Sequence, residues 1–406
     1  MNALRELGRA FLATWRAMLS DSAALTLLFA GGIVYSFFYP LPYAKESVQR
    51  VPVAVVDQDR SALSRQITRY ASAHPSINVI AVTPDLRDAQ DLIWRNEAAG
   101  MLFIPAGLQS KVAAGRAAEV EVAGNGVYMM LNKAALNGFA QAVGTVSAGI
   151  EIKRLSATTA SGAQAQAQRS PIGLNAVALF NVREGYGAYV VPAAAVLIIQ
   201  QTLLLAVTLM FGTWVERGHF PVRRSAAGYA GMLCAIACVP VINSLYYFGF
   251  VFWWQDYPRG GNFGGLLAFT LLFAFAVTAY AIMVGNLFRS RERSAQLLLC
   301  TAMPVMFLSG VTWPVEALPG PLQALRWLIP STPGIQGFVA LNQLGADLSE
   351  VATEAAALGG LFVGSVMLGF WRWRRTERAL RKRQVAPEFL DPTQRRAGRG
   401  SGLGGT

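Results

Sequence analysis

Six stretches of the chain, each 17 to 31 residues long, contain no charged residue and consist mainly of Leu, Ile, Val, Phe and Ala. A helix needs about 20 apolar residues to cross about 30 Å of hydrocarbon, so stretches of this length are typical of membrane spans. The last stretch is the shortest and contains four glycines. The pattern predicts six transmembrane helices, at residues 22–44, 188–212, 228–253, 263–288, 295–315 and 355–371.

A further uncharged stretch runs from Trp327 to Ala346 but is interrupted by Pro330 and Pro333 and holds several polar residues. Proline inside a helix removes a backbone hydrogen bond and bends or ends the helix. We therefore interpret residues 316–350 as a re-entrant or interfacial segment and not as a seventh span.

The first 21 residues show helical periodicity. Apolar residues recur at intervals of three and four, at Leu4, Leu7, Phe11, Trp15 and Met18, while Arg5, Arg9 and Arg16 lie off that stripe. This arrangement is typical of a helix that lies in the plane of the lipid headgroups. We predict a cytoplasmic amphipathic helix over residues 1–21, and a frayed stub is the alternative.

Residues 45–187 have a different pattern, in which short apolar runs alternate with segments of helical spacing. The runs are 51–56, 79–82, 101–104 and 120–122, and the helical segments include 61–74 and 86–98. A longer helix is expected at 128–168. Alternating strands and helices favour a small sheet covered by helices. The predicted fold class is an α-helical membrane protein of six transmembrane helices, with an extracytoplasmic α/β domain inserted between the first and second spans.

The composition agrees with a membrane protein. Only 14% of the 406 residues are charged and 53% are hydrophobic, whereas soluble domains carry about 25% charged residues. The net charge is +12. An ordinary soluble enzyme and a largely disordered chain are both excluded.

The distribution of basic residues predicts the orientation in the membrane. On one side the termini and short loops hold 19 Lys and Arg against 7 Asp and Glu, whereas the opposite short loops hold two Arg against five acidic residues. Because Lys and Arg accumulate in cytoplasmic loops, both termini are expected in the cytoplasm of a bacterial inner membrane. Residues 372–406 then form a basic, partly disordered cytoplasmic tail. The positive charge suits a membrane surface and offers nucleic acid no folded platform.

Several kinds of chemistry are missing from the sequence. None of the five lysines is followed by Ser or Thr, so the chain has no Walker A loop for ATP. The two histidines, His74 and His219, are predicted on opposite sides of the membrane, which excludes a His-based zinc site or Ser-His-Asp triad. Cys234, Cys238 and Cys300 are expected to be packing residues. We predict no cofactor, metal or catalytic residue in this chain.

Polar residues within the predicted spans are neutral, so no carboxylate is available for coupling to an ion gradient. Gln200, Gln201, Asn243 and Ser309 are candidate residues of a translocation pathway. The alternative is that they form hydrogen bonds between helices. In the predicted α/β domain, Asp57 and Asp59 follow a strand and precede a helix. We interpret them as helix N-caps in preference to a cation site.

Two segments resemble those of ABC-2-type transporter permeases. Leu308, Ser309, Gly310, Trp313 and Pro314 resemble the family's L-S-G-x-x-aromatic-P motif, which ends the fifth span there. Residues 53–66, beginning V-A-V-V-D-Q-D-R-S, are similar to the start of the large extracytoplasmic domain of one subgroup. The chain departs from the family at residues 216–221, where many relatives carry E-R-E-x-G-T and this chain has E-R-G-H-F-P.

The resemblance implies an exporter in which two permease subunits are driven by two ATP-binding subunits, with ATP and Mg²⁺ bound by the partner chain. The second permease is a second copy or a sister protein. The segment from Thr213 to Ser225 is the predicted ATPase-coupling loop, centred on Glu216, Arg217, Gly218, His219 and Phe220. The outer domain is expected to dock a periplasmic membrane-fusion adaptor or to take up substrate, and the sequence leaves both open.

A membrane-tethered receptor with an extracytoplasmic ligand-binding domain is the alternative function. A sensor usually needs one or two spans, whereas most of the predicted spans follow the outer domain. The sequence therefore favours a transporter subunit.

Overall fold

The computed structural model describes residues 2–44, 48–156, 181 and 185–385, the last ten of these by their backbone alone. Contacts divide the chain into two compact units, which we call the membrane unit (Met1–Ala44 and Glu184–Thr406) and the α/β unit (Lys45–Arg183). In chain order the elements are α1 (Asn2–Ser20), α2 (Ser22–Tyr43), β1 (Val51–Asp57), α3 (Ala62–Ala73), β2 (Ile77–Thr83), α4 (Leu86–Trp94), β3 (Gly100–Ile104), α5 (Leu108–Ala113), β4 (Glu121–Gly124), α6 (Met129–Ser156), α7 (Tyr186–Glu216), α8 (Ala226–Trp254), α9 (Phe263–Gly285), α10 (Arg291–Leu308), α11 (Gly320–Leu325), α12 (Ser331–Val339) and α13 (Ala352–Val385).

Five helices of the described residues are long and apolar enough to cross a membrane, namely α2, α7, α8, α9 and the part of α13 up to Arg375. The predicted span at 295–315 corresponds to α10, which has 18 residues and is therefore about 27 Å long. It begins with Arg291, Glu292 and Arg293, contains Pro304 and ends before Ser309. The six-span count therefore stays a prediction, because α10 is short and its first turn is charged.

Two of the spans contain π-helical turns, and a third π turn follows the short helix α12. These are Thr26–Ala30 in α2, Tyr246–Val251 in α8 and Ala340–Leu344, which continues from α12. A π turn widens the helix locally and changes the partners of its backbone carbonyls, and such turns are frequent at functional sites. The segment predicted as re-entrant contains α11, a short 3₁₀ turn at Arg326–Leu328 and the largely buried α12.

Three polar contacts join α2 to α8. Asn243 Nδ2 donates to the Leu28 carbonyl (3.0 Å), Tyr247 Oη donates to the Gly32 carbonyl (2.6 Å), and Ser36 Oγ lies 2.8 Å from Tyr246 Oη. Such contacts between membrane helices contribute about 0.6 kcal/mol each on average. They hold the first span against the third over more than two turns.

Helix α1 is amphipathic as predicted, but the face that packs is rotated from the expected stripe. Ala10, Thr14 and Met18 are buried, whereas Leu4 is exposed. The reason is the small size of Ala10 and Gly231: a Cβ added at Gly231 of α8 would lie 2.8 Å from Ala10 Cβ. Close backbone approach therefore decides which face of α1 contacts α8.

The α/β unit contains a four-stranded sheet of order β2-β1-β3-β4, in which β1 pairs in parallel with β2 and β3, and β4 is antiparallel to β3. The strand β1 is apolar from Val51 to Val56 because helices cover both faces of the sheet. Helices α3 and α6 share a core with Val53, Val55 and Leu102, and α4 packs near Ala54 and Val56 on the other face. Of the helix predicted at 128–168, residues 157–168 lie outside the described residues.

The prediction that Asp57 and Asp59 form the N-cap of the helix that follows them is wrong. Ser61 is the N-cap of α3 and forms a capping box with Ser64. Asp57 accepts hydrogen bonds from the Asp59 and Arg60 amides and from the Ser64 hydroxyl, because Arg60 takes up a positive φ and turns the chain back. Asp59 accepts instead from the Gln109 amide at the start of α5. In the described part of the chain, no three His, Cys, Asp or Glu side chains are grouped closely enough to hold a metal ion.

Candidate functional site

The predicted coupling loop begins where α7 ends. Gly218 has φ +63°, and its amide donates to the Val215 carbonyl while the His219 amide donates to the Trp214 carbonyl, each at 3.1 Å. This pair of bonds is the Schellman motif, which satisfies the last carbonyls of a helix and favours glycine at the left-handed position. The local sequence E-R-G-H-F-P is therefore a helix stop. It leaves Arg217, Gly218 and His219 exposed.

Glu216 is exposed as well, but its carboxylate joins α7 to α10. Its carboxylate accepts a 2.8 Å hydrogen bond from the backbone amide of Arg291, the first residue of α10. The first amides of a helix have no partner within the helix, and a negative charge near them is favourable. Ser290, in the N-cap position, forms no side-chain cap. Glu216 supplies that cap from another helix.

The guanidinium of Arg291 connects three helices. It donates to both carboxylate oxygens of Asp21, at 2.9 and 3.2 Å, and to the Thr213 hydroxyl at 2.7 Å. Asp21 is also the N-cap of α2, where it accepts from the Ala23 and Ala24 amides. We call Asp21, Thr213, Glu216 and Arg291 the Arg291 junction. It links the start of α2 and the end of α7 to the start of α10.

The contact between Asp21 and Arg291 changes the pKa of both groups. Burial alone would raise the pKa of Asp21, but the hydrogen bonds from Arg291 and the two amides outweigh burial and hold that pKa below its usual value. The hydrogen bond to Asp21 raises the pKa of Arg291 above its usual range. Both groups are therefore charged at neutral pH. Their side chains are only 17% and 33% exposed, respectively.

An aromatic cluster anchors the other half of the loop. The Phe220 ring lies 5.9 Å from that of Trp214 and 5.7 Å from that of Trp373 in α13. The Arg224 guanidinium lies 3.8 Å above the Phe220 ring and donates to the Trp373 carbonyl at 2.9 Å. Cation–π and aromatic contacts of this geometry each contribute about 1 kcal/mol. Phe220 is thus an internal anchor and not a free contact.

Helix α1 lies beside the coupling loop. The Glu6 carboxylate accepts a 2.5 Å hydrogen bond from the Ser225 hydroxyl, which also caps α8. A groove of about 480 Å³ separates the first half of α1 from the loop, and it is lined by Arg5, Arg9, residues 221–223 and other α1 residues. The basic side of α1 and the loop therefore form one surface.

The candidate pathway residues do not come together in one place. Gln200 Oε1 accepts a 2.6 Å bond from the amide of Ser331 at the start of α12, and Asn243 bonds to α2. Ser309 is buried and donates to the Met306 carbonyl at 2.6 Å. Gln201 is half-buried. Three of the four thus hold backbone together, and their role in a pathway stays a prediction.

The motif after α10 also forms a helix stop. Ser309 is the C-cap, and Gly310 has φ +83°, a conformation that favours glycine. Leu308 is buried, whereas Trp313 and Pro314 are exposed. The Tyr189 hydroxyl donates to the Val311 carbonyl at 2.7 Å, so the first turn of α7 also meets the chain just after α10.

Comparison with known proteins now gives the family. Residues 23–371 match the model of the ABC-2 family transporter protein. This chain belongs to the ABC-2 transporter family. The permease is also similar to the inner membrane transport permease YhhJ of Escherichia coli K12, with 24% identity over 388 residues that cover 91% of this chain and 98% of YhhJ. YhhJ of Shigella flexneri matches to the same extent.

Family membership settles the coarse function. The chain is the membrane subunit of a transporter and a multi-pass protein of the inner membrane. Permeases of this family work in ABC systems, so membership implies an ATP-binding partner. It also favours a transporter over the membrane-tethered receptor.

The coupling loop stays a prediction from the sequence, and the Arg291 junction was not predicted at all. Asp21 and Arg291 are 270 positions apart, and neither belongs to the motifs that carry the resemblance. A signal was present: Asp21 directly precedes an apolar run, and Arg291 lies in the short charged segment that precedes another, where an unpaired charge is costly. Such residues need a partner at the same depth, and only the fold shows which one.

Proposed function

We propose that the permease forms, as a dimer, the translocation pathway of an ATP-driven exporter, and that a separate subunit binds and hydrolyses ATP with Mg²⁺. Family membership supports this role. The sequence supports the division of labour, because its lysines do not occur in a Walker A context. The second permease is a copy of this chain or a sister protein.

The ATP-binding subunit is proposed to dock on the surface formed by the coupling loop and α1. The observation that carries this proposal lies within the loop: Arg217 and His219 are exposed at its tip, and the residues on either side contact other helices, the exposed Glu216 through its carboxylate and the half-buried Phe220 through its ring. Because the loop is held by contacts to other helices, a force applied to its exposed tip is transmitted to those helices and does not merely displace the loop. Arg217 is the proposed contact, and Glu216 and Phe220 hold the loop in position.

Movement of the docked subunit would reach the membrane helices by three connections. The Glu216 carboxylate connects α7 to the first amide of α10. Phe220 and Arg224 connect the loop to Trp373 of α13, and Ser225 connects it to Glu6 of α1. The resemblance to the family places the second and fifth spans, here α7 and α10, near the dimer interface. Alternating exposure of that interface is the proposed transport step.

A charge reversal tests the docking surface. The permease would be expressed with its ATP-binding subunit and would carry either Arg217→Glu or the control Arg69→Glu, an exposed arginine on α3 of the α/β unit. Arg217→Glu should reduce both co-purification of the ATP-binding subunit and its ATPase stimulation by about tenfold, while the amount of permease in the membrane is unchanged. Arg69→Glu should match the wild type.

The paired change Glu216→Ala with Arg217→Ala should uncouple ATP hydrolysis from export. Glu216→Ala alone separates the two roles, since it removes the cap of α10 and leaves the exposed tip intact. It should impair coupling with normal co-purification. If the Arg217→Glu permease stimulated ATP hydrolysis as strongly as the wild type does, the loop would not be the docking site.

The orientation is proposed with both termini in the cytoplasm and the α/β unit outside. Single cysteines at Ser61 and Arg289, in a variant whose three native cysteines are replaced, should differ in labelling by a membrane-impermeant thiol reagent in intact cells. We expect labelling at Ser61 and none at Arg289 until the cells are opened. The α/β unit is then available to an adaptor or to substrate, and the reverse labelling would invert the topology.

A further inference from the structure

A cavity of about 210 Å³ lies between α8, α9 and the π turn after α12, at the end of the bundle opposite to the coupling loop. Its walls are largely apolar and include Leu245, Phe248, Phe263, Leu266 and Leu267. Leu245, Phe263 and Leu267 are also exposed on the outer surface of the bundle. The apolar wall of the cavity is therefore continuous with a surface that faces lipid in a membrane.

Two buried polar groups in this cavity have no partner among the described residues. Ser244 is 1% exposed and its hydroxyl forms no hydrogen bond, and Asn342 is 4% exposed with a side-chain amide nitrogen that donates to nothing. Leaving a buried polar group unpaired is costly, and such groups are rare in native structures. Both can donate a hydrogen bond, so the cavity is suited to an acceptor.

The rim of the cavity carries a positive charge. Arg259 lines the cavity and is exposed, and among the described residues no carboxylate lies within ion-pair distance of its guanidinium. Asp256 is three residues away in the same loop and has an interaction of its own. Trp253 and Trp254, just before this loop, are exposed. Exposed tryptophans at the end of a span mark the depth of the lipid headgroups, so Arg259 lies at headgroup depth.

The backbone around the cavity is distorted on two sides. The π turn Tyr246–Val251 supplies Phe248 and Gly249, and the π turn Ala340–Leu344 supplies Asn342. The Gly260 amide donates to the Asn342 carbonyl, which ties the loop of Arg259 to the second π turn. Both distortions border the same space, where they widen the gap between α8 and its neighbours.

We propose that this cavity binds one anionic phospholipid. The phosphate is held by the Arg259 guanidinium and accepts hydrogen bonds from Ser244 and Asn342, and an acyl chain follows the apolar wall past Leu245 and Leu267 to the lipid-facing surface. A positive rim, inward hydrogen-bond donors and an apolar floor match the three parts of such a lipid. A neutral phospholipid lacks the net charge that Arg259 recognises.

Native mass spectrometry of the purified full-length permease tests the proposal. The protein in detergent would be titrated with dioleoylphosphatidylglycerol or, separately, with the neutral dioleoylphosphatidylcholine. We expect one phosphatidylglycerol retained per chain, with about tenfold stronger binding than phosphatidylcholine. Inorganic phosphate and glycerol phosphate, added as competitors, should not displace it, because they lack the acyl chain.

Two independent variants, each with a matched control, locate the site. Arg259→Gln removes the rim charge, and Arg289→Gln removes an exposed charge from the other end of α9. Gly249→Leu fills the cavity, since a Cβ at Gly249 meets no atom within 4 Å, and Gly264→Leu places the same side chain in open space away from the cavity wall. Arg259→Gln and Gly249→Leu should each weaken phosphatidylglycerol binding about tenfold, and both controls should bind as the wild type does.

Three results would overturn the proposal. Equal retention of phosphatidylglycerol and phosphatidylcholine would show that the site does not recognise the net charge of the lipid. Unchanged phosphatidylglycerol binding by Gly249→Leu would show that the lipid binds outside this cavity. Displacement by inorganic phosphate would assign the site to a soluble anion. Because Gly249→Leu keeps every polar group, its result stands even where Arg259→Gln lowers the yield of folded protein.

Discussion

The Asp21 carboxylate has two roles, as the partner of Arg291 and as the N-cap of α2, and two substitutions can separate them. Asn is as good an N-cap as Asp, so Asp21→Asn removes the charge and retains the cap, whereas Asp21→Ala removes both. The difference between the two variants in free energy of unfolding should be about 1 kcal/mol, which is the contribution of the cap.

The pair itself lies between two known limits. Exposed pairs contribute about 0.5 kcal/mol, and breaking a buried pair costs about 3 to 5 kcal/mol. The two N···O distances between Arg291 and Asp21, 2.9 and 3.2 Å, are within hydrogen-bond range. The Asp21 side chain is 17% exposed and that of Arg291 is 33% exposed. We expect a coupling energy of about 1.5 kcal/mol. Arg291→Gln should cost about 1 kcal/mol more than Asp21→Asn, because it also weakens the bond to Thr213.

The assay is a double-mutant cycle of Asp21→Asn and Arg291→Gln, with unfolding by SDS in mixed micelles followed by tryptophan fluorescence. The cycle gives the interaction energy between the two side chains, because the effect of each single substitution is subtracted. ATPase stimulation measured on the same four proteins shows whether the junction also transmits the signal from the partner. A coupling energy near zero would refute the assignment of this pair as a structural link between α2 and α10.

Three further outcomes follow from the structure. Lowering the pH should abolish the stability difference between wild type and Asp21→Asn: because the folded pKa of Asp21 is depressed, the pair contributes fully above about pH 4 and its contribution is lost as the pH falls through that folded pKa. Trp373→Ala should cost about 3 to 5 kcal/mol in SDS unfolding, since this fully buried ring anchors the aromatic cluster. Gly231→Ala should detach α1 from α8 and increase its proteolysis, whereas Gly8→Ala, which meets no atom within 4 Å, should leave α1 as protected as in the wild type.

The sequence was sufficient for features that depend on local pattern. Long apolar runs and the alternation of strand and helix each depend on neighbouring residues. These features are present in the described residues as five apolar helices and a four-stranded sheet.

Features that depend on close approach could not be predicted. The packed face of α1 is set by Gly231, about 220 residues later, and the helix cap at Ser61 replaced Asp57 because the chain reverses at Arg60. In the candidate site, the loop was predictable from its position between two apolar runs. The partners of Glu216 and Phe220 were not, because both lie on distant helices.

The three polar contacts between α2 and α8 contribute about 0.6 kcal/mol each, or about 2 kcal/mol together, to the packing of these two helices. We therefore expect any movement that opens a passage to occur between other helices of the membrane unit. At one end of α7 and α10, Glu216 and Thr213 both bind Arg291, whereas the other end is joined by a hydrogen bond from the Tyr189 hydroxyl to the Val311 carbonyl. We expect a gap between α7 and α10 to open first at the tyrosine end, because fewer polar contacts hold it.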